Sequence, residues 1–469
     1  MHTNAIYCGD CRNVLGNTLE FPDNSVDLVY VDPPFFSNRK YEVLWGDGYE
    51  LRAFEDRWKS GGIENYLSWM QEKIGQCHRV LKPNGSFYLH CDSSANYRLR
   101  QLAESVFGDS HFRNEIVWRR SFSHNDPKRF GANHDTILFF TKGDTWTWNP
   151  LYSPIRDVYV DRDYRFAEGP DGTIITLKKR KDGTREPPPP GWKRFREDNL
   201  TASKPGGDVS YEWKGVRPYK GRYWAFSKEN MEKFDREGRL IYRKTGMPVF
   251  KRYLSDSRGV PLQTFWDDIS PIISGSPEAE GFPTQKPLAL LERIIRASSN
   301  PGDVVLDPMC GCGTTIVAAQ KLGRSWVGID VSPTACGLMA TRVAKVGAHG
   351  VEIVGLPKTI NELMRVEPFE FQNWVIQRLM GRVSARKTGD MGIDGYLFDG
   401  SPVQVKQSED VGRNVVDNFE TAIRRAKKSK GMIIALSFGK GAIEEAARAK
   451  NEAGLEITLK TLEELVEEE

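Results

Sequence analysis

The sequence predicts an α/β protein: an open, largely parallel sheet interrupted by a long basic insert, followed by a smaller α/β unit. Three observations predict it. Short apolar runs alternate with stretches of helical periodicity through the first 150 residues. The alternation breaks between about 150 and 262 and resumes from Pro287. With 469 residues and 39% hydrophobic content, the chain is long enough for two or three domains, each with its own core.

The elements follow in order. Ala5-Ile6-Tyr7-Cys8 and Val26 to Val31 read as buried strands. Tyr66, Leu67, Met70, Ile74, Cys77, Val80 and Leu81 recur at helical spacing, and Lys82-Pro83-Asn84-Gly85 ends that helix before a strand at Gly85 to His90. Past the insert come a helix at 287–298, a strand at Val304-Val305-Leu306, a helix at 313–322 and a strand at Trp326 to Ile329. Residues 351–365 read as a linker. The last unit, 366–469, reads as a helix at 369–380, strands near 393–398 and 402–406, a helix at 415–428, a strand at 431–437 and a helix at 440–453. The expected division is 1–150, 151–262, 263–350, 351–365 and 366–469.

Net charge is only +3, but from Pro150 to Val260 there are 25 lysines and arginines against 16 acidic residues. That +9 is the footprint of a polyanion-binding insert. No apolar run approaches the length of a membrane span, the first residues lack a signal-peptide pattern, and the seven cysteines are an odd number. These features lead us to expect a cytoplasmic protein without a disulfide framework.

Asp32-Pro33-Pro34-Phe35 follows an apolar strand directly, where open α/β sheets bind ligands. A base's exocyclic amine is a poor nucleophile, because its lone pair is delocalised into the ring. A carboxylate and a proline-fixed carbonyl can accept its two N–H bonds and steer the lone pair, while an aromatic ring stacks on a base swung out of its helix. A second string, Val304-Val305-Leu306-Asp307-Pro308-Met309-Cys310-Gly311-Cys312-Gly313-Thr314-Thr315, reads as strand, glycine turn and helix. Its glycines let backbone approach a cofactor at a positive helix N-terminus. Asp330, ending the next strand, is placed as for a ribose diol. No Gly-Lys-Ser/Thr follows, which disfavours a nucleotide phosphate loop. Cys8 and Cys11 have the spacing of a redox pair or a zinc half-site, but no second pair appears at zinc spacing and the pair coincides with the turn after the first strand; His90 and His134 read as structural or hydrogen-bonded.

These strings resemble the β-class, circularly permuted DNA aminomethyltransferases. Asp32 to Phe35 looks like their motif IV, Asp307 to Thr315 their motif I, Phe282-Pro283-Thr284-Gln285-Lys286-Pro287 the start of their motif X, and Cys8-Gly9-Asp10 their motif III. Met309 departs from the phenylalanine usual in motif I. The resemblance implies a Rossmann-like S-adenosylmethionine-dependent methyltransferase sheet with an inserted target-recognition region. It implies Asp32, Pro33, Pro34 and Phe35 around the target base. It also implies Asp10, Asp307, Pro308, Gly311, Gly313, Thr314 and Asp330 around the cofactor. The insert falls where the class keeps its target-recognition region, and Tyr211, Trp213, Tyr223 and Trp224 lie there among Lys214, Arg217, Lys220 and Arg222. Each aromatic taken singly reads as core before reader. Asp at the first motif IV position leans to adenine N6, with cytosine N4 the alternative. Methylation at cytosine C5 needs a nucleophilic cysteine, typically after proline, and no Pro-Cys pair occurs. An RNA substrate would leave the insert and the last unit unexplained.

In the C-terminal unit, Asp394 precedes Val403-Gln404-Val405-Lys406, and strand alternation puts Gln404 and Lys406 on one face. Asp394 and Gln404 could share Mg²⁺ while Lys406 positions the attacking water. The set resembles Mrr-type restriction endonucleases, and Glu370 to Trp374 occupies the place where that group often has another acidic or amide residue. The alternative for this unit is a DNA-binding module that does not cut. The expected partner is double-stranded DNA within a restriction-modification system, with a homodimer as the candidate assembly and no membrane association.

Overall fold

The computed structural model describes residues 1–35, 62–122, 127–204, 209–273, 275–279, 285–357, 359–366, 368–379, 381–383, 392–397 and 399–467. Two compact units emerge, one of 1–149 with 263–469 and one of 150–262.

The first unit carries a nine-stranded sheet. Its strands are β1 (Ala5–Cys8), β2 (Val26–Val31), β3 (Leu81–Cys91), β4 (Phe112–Arg119), β5 (His134–Thr141), β6 (Phe265–Trp266), β7 (Val304–Asp307), β8 (Ser325–Asp330) and β9 (Glu352–Val354). Their order is β6-β4-β5-β3-β2-β7-β8-β1-β9. All neighbours are parallel except β5, which is antiparallel to both β3 and β4. The strands are apolar on both faces because helices cover both. On β2, Val29 and Val31 pack with α1 (Cys11–Gly16), α2 (Gly62–Val80) and α3 (Asn96–Phe107). Leu28 and Tyr30 point the other way, to α4 (Leu288–Ser298), α5 (Thr314–Lys321) and α6 (Pro333–Ala344). This is the expected open, largely parallel, Rossmann-like sheet.

Two local expectations are corrected. Lys82-Pro83-Asn84-Gly85 does not separate a helix from a strand but lies inside β3, where the register jumps from Val26↔Leu81 to Leu28↔Ser86. A side chain at Gly85 would meet the Asp27 carbonyl oxygen at 2.9 Å, so the bulge requires glycine there. The linker expected at 351–365 is also partly structured: Glu352–Val354 pairs in parallel with β1 as the edge strand, and Ile360–Leu363 is a helix held by a Thr359–Glu362 capping box.

The C-terminal part begins with α7 (Pro368–Arg378) and has a five-stranded sheet in the order β10 (Arg382–Val383), β11 (Gly395–Tyr396), β12 (Pro402–Val405), β13 (Lys430–Ala435), β14 (Glu456–Thr461). Helices α8 (Arg413–Arg425) and α9 (Lys440–Ala453) cover one face, where Phe419, Ile423, Ala442 and Ala449 share a core with Ile433 of β13. Helix α7 covers the other through Phe371, Val375, Val403 and Val405. The second unit, by itself, is a five-stranded antiparallel sheet from Phe166–Glu168 to Pro248–Tyr253 beside a core of Leu200, Trp213, Trp224 and Met231.

Candidate active site

Strand β2 pairs with β7, and β7 with β8, all parallel, so Asp32, Asp307 and Asp330 come together at one carboxyl edge. This is the part of an open sheet where ligands bind. Asp32 leaves β2 into Pro33, which is buried, and Pro34 and Phe35, which are partly exposed. Lys286, 254 residues away, donates to Asp32 Oδ2 at 2.5 Å, and its Nζ stands 5.1 Å from the Phe35 ring centroid. Lys286 is only 8% exposed. In sequence this lysine stands within the motif X-like segment, where nothing local assigns it a role. Phe282, Pro283 and Thr284 of that segment lie outside the described residues, as do Asp390 and Met391.

Beneath this loop runs a buried polar chain that sequence reasoning alone does not reveal. The Tyr30 hydroxyl meets His90 Nδ1 at 2.8 Å, and His90 Nε2 meets Asp135 Oδ2 at 3.2 Å. Arg120 Nε approaches Asp135 Oδ1 at 3.4 Å. Tyr30, His90 and Asp135 are all buried, and burial pushes the Tyr30 hydroxyl well above its ordinary value. Burial also pushes the Asp135 carboxyl up, but its hydrogen bond to His90, with the charges of His90, Lys286 and Arg120, holds it below the usual range. The His90 ring lies 5.9 Å from the Phe35 ring and supports it from below. His90 is thus the hydrogen-bonded structural residue the sequence suggested. Tyr30 and Asp135 carry no signal of their own, because only β2–β3–β5 pairing brings them together.

The glycine turn after β7 is held by its own carboxylates. Asp307 Oδ1 accepts from Met309 N at 3.1 Å, and Oδ2 from Thr315 Oγ1 at 2.5 Å. Burial, opposed by those two donors and reinforced by Asp32 and Asp330, pushes the Asp307 carboxyl up to about 7. Asp330 Oδ2 accepts from Gly311 N at 2.8 Å, and Oδ1 from Ser332 N at 3.0 Å. Gly311 and Gly313 have φ of 52° and 83°. A side chain at Gly313 would also meet Met339 Cγ at 2.8 Å. Pro308 and Thr314 are buried, and Arg342 reaches Thr314 Oγ1 at 3.4 Å and the Cys312 carbonyl.

Asp10 caps α1 by accepting from Arg12 N at 2.8 Å, and pairs at 3.1 Å with the buried Lys73. Cys11 beside it is buried, which pushes its thiol up to about 12 and works against thiolate chemistry. In the insert, Trp213 and Trp224 are core. Arg222 donates to Thr201, and Lys214 pairs with Asp235 at 2.5 Å, so neither is displayed as a bare cation. The exposed basic stretch is instead Lys178, Lys179, Arg180 and Lys181, in a hairpin closed by the Lys179↔Arg185 bridge.

In the C-terminal part, the Gly395↔Val403 and Tyr396↔Pro402 pairs continue to set Asp394 opposite Gln404. Asp394 Oδ2 accepts from Val405 N at 2.6 Å. Gln404 is buried, with its amide against Gly392, and its Oε1 has no hydrogen-bond partner among the described residues. Lys406 follows Gln404 by two residues and is partly exposed. The structure therefore brings Asp394, Gln404 and Lys406 to one region of the sheet. Glu370 does not join them. Its helix packs on the opposite face, and its Oε2 accepts from Ser332 Oγ at 2.8 Å.

Residues 26–341 match the DNA methylase family, and residues 363–468 match a restriction endonuclease family. Over 366 residues the chain is 30% identical to the Type II methyltransferase M.EcaI of Enterobacter cloacae, covering 75% of this chain and 74% of that one. It is 29% identical to the Type II methyltransferase M.BglII of Bacillus subtilis, covering 70% and 66%. It is 27% identical to the DNA adenine methyltransferase YhdJ of Escherichia coli, covering 68% and 76%.

Proposed function

This chain belongs to the DNA methylase family, and we propose that it transfers a methyl group from S-adenosylmethionine to adenine N6 of double-stranded DNA. The observation that carries the reading is the edge of β2, β7 and β8, where Asp32 and Phe35 stand beside a glycine turn held by Asp307 and Asp330. The donor set suits the cofactor. Asp330, at the end of β8, and Asp32, beside Lys286, carry the carboxylates at that edge that can complement a sulfonium cation. Gly311, Gly313 and Asp330 would hold the methionine and ribose ends, with Asp10 toward the adenine. When bound, the cofactor supplies a methyl carbon activated by the positive sulfur.

The chain's residues do the remaining work. Phe35 stacks on the extruded base and offsets an unstacking cost of a few kcal/mol. Asp32 Oδ2 is held by Lys286, which leaves Oδ1 to accept one amine N–H. The Pro33–Pro34 backbone, fixed by its rings, supplies a carbonyl for the other. With both N–H bonds held in the base plane, the amine's lone pair points out of it, toward the methyl carbon. As the new N–C bond replaces the methyl's bond to sulfur, the sulfur keeps the electron pair of the broken bond and departs as a neutral thioether, so the positive charge passes to the amine. Asp32 stabilises that charge, and the amine proton then leaves to solvent.

Relatives named Type II methyltransferases and the restriction endonuclease match support a restriction-modification role. In the C-terminal part, Asp394 and Gln404 would hold Mg²⁺ and Lys406 would position water for phosphodiester cleavage. The basic insert would read the target. Labelling DNA with methyl-tritiated S-adenosylmethionine and identifying the nucleoside tests the transfer. N6-methyladenine is expected, N4-methylcytosine would move the target to cytosine, and label only on RNA or protein would overturn the reading. Mg²⁺-dependent cleavage of unmethylated plasmid is expected of the wild type and not of Lys406→Ala. If neither cuts while methylation proceeds, the C-terminal part is a binding module.

A further inference from the structure

Glu370 stands apart from the other acidic residues of the C-terminal part. It lies on the first turn of α7, is 8% exposed, and faces the methyltransferase sheet rather than Asp394 and Gln404. Its Oε2 accepts from the Ser332 hydroxyl at 2.8 Å, and Ser332 is itself only 3% exposed. Ser332 caps α6: its Oγ accepts from Ala335 N at 3.1 Å while its proton goes to Glu370. The Ser332 N–H goes to Asp330 Oδ1 at 3.0 Å, and Asp330 Oδ2 accepts from Gly311 N at 2.8 Å. A continuous run of hydrogen bonds therefore joins a carboxylate of the nuclease-like part to the glycine turn at the candidate cofactor site.

Docking two apolar surfaces does not require a carboxylate at the seam. Burying one is costly unless its hydrogen bonds are made, so the donor that Glu370 holds there carries the argument. Ser332 is the residue held. Its hydroxyl carries both the cap of α6 and the Glu370 contact, so shifting Ser332 rotates the N–H that fixes Asp330. Asp330 cannot turn without releasing Gly311.

We infer that Glu370 is a positioning residue for the cofactor turn, supplied to the methyltransferase by the nuclease-like part. The inference rests on the reading that the Gly311 turn and Asp330 bind S-adenosylmethionine. Its consequence is reciprocal. If Glu370 tightens cofactor binding, cofactor binding must tighten the seat of α7 by the same factor. The two catalytic parts of the polypeptide then share one equilibrium.

The test uses the full chain, S-adenosylmethionine and isothermal titration, with methylation kinetics alongside. Glu370→Ala is expected to raise the Kd for S-adenosylmethionine about fivefold or more. KM for the cofactor should rise in step, while kcat at saturating cofactor and KM for DNA stay within about twofold. Glu370→Gln keeps an acceptor for the Ser332 hydroxyl and is expected to restore the wild-type Kd. Phe371→Leu loosens the same helix through its apolar face but keeps the Ser332 contact, and is expected to raise the Kd clearly less than Glu370→Ala does. Hydrogen exchange of 368–378 in the wild type should slow when the cofactor saturates, a readout that no variant's folding can obscure. An unchanged Kd in Glu370→Ala, an equal loss in Phe371→Leu, or no slowing of exchange overturns the inference. A wild type that binds no S-adenosylmethionine fails differently, because it overturns the cofactor reading itself.

Discussion

Asp307→Asn isolates the electrostatic cost of the buried carboxylate under the cofactor turn. Asp307 is 2% exposed, and burial pushes its carboxyl up to about 7 although Thr315 and Met309 both donate to it. Against an ordinary aspartate near 3.9 this is a rise of about three pKa units, or about 4 kcal/mol at 1.36 kcal/mol per unit. The folded chain keeps a proton that the unfolded chain releases between about pH 4 and pH 7, so this group's contribution to stability falls as pH rises through that window and is level above it. An asparagine has no proton to lose. Its amide can still accept from Met309 N–H and donate to the rotated Thr315 hydroxyl, at a cost of about 1 kcal/mol for the poorer pair. The variant is therefore expected to be about 3 kcal/mol more stable than wild type at pH 8 and no more stable at pH 4. At about 2–4 °C per kcal/mol for a unit of this size, the melting temperature at pH 8 rises by roughly 6 °C or more. The assay is differential scanning calorimetry at both pH values. A chain with several cores need not melt in one step, so the relevant transition is the one that S-adenosylmethionine moves upward. A difference that is equal at the two pH values, or a variant less stable at pH 8, would refute the buried-carboxylate account.

The other predictions concern the turn, the Asp32–Lys286 pair and the insert. Gly313→Ala forces a side chain onto φ 83° and to 2.8 Å from Met339 Cγ, so titration should show cofactor binding weakened by about fivefold or more (about one to three kcal/mol of strain). Lys286→Met removes the cation that fixes Asp32 Oδ2. Single-turnover methylation should slow by about tenfold or more while cofactor affinity holds within about twofold, and an unchanged rate would show that Lys286 does not position Asp32. Replacing Lys178, Lys179, Arg180 and Lys181 by glutamine should weaken DNA binding on all sequences alike. It should also flatten the plot of log affinity against log salt by about 0.9 for each phosphate no longer neutralised, and an unchanged slope would remove this hairpin from the DNA interface.

Much of this protein is legible in its sequence, because its principal strands are short, apolar and buried on both faces. The helices and strands around Asp32 and Asp307 fall within a few residues of their expected bounds. What escapes is set by non-local pairing. Glu352–Val354 reads as a connector, because nothing within it shows that β1 has an open edge to receive it. Glu456–Thr461 alternates charged and apolar residues weakly and becomes a strand only beside β13. Trp213 and Trp224 look the same in sequence whether they meet a base or Met231, and the fold assigns them to the core.

The three carboxylates at the sheet's edge show where sequence reasoning stops. Asp32, Asp307 and Asp330 each end or follow an apolar strand, and the motif around each assigns it a ligand. The structure separates them by which donors reach them. Asp307 is turned inward onto Met309 and Thr315, so its first task is to hold the turn. Asp330 divides its oxygens between Gly311 and Ser332, so any ribose contact must share them with the backbone. Asp32 spends one oxygen on Lys286 and keeps the other. Of the three, its carboxylate is the one with an oxygen left for the amine that the proposed reaction brings. That asymmetry depends on a lysine 254 residues away and on the sheet order that places β2 beside β7.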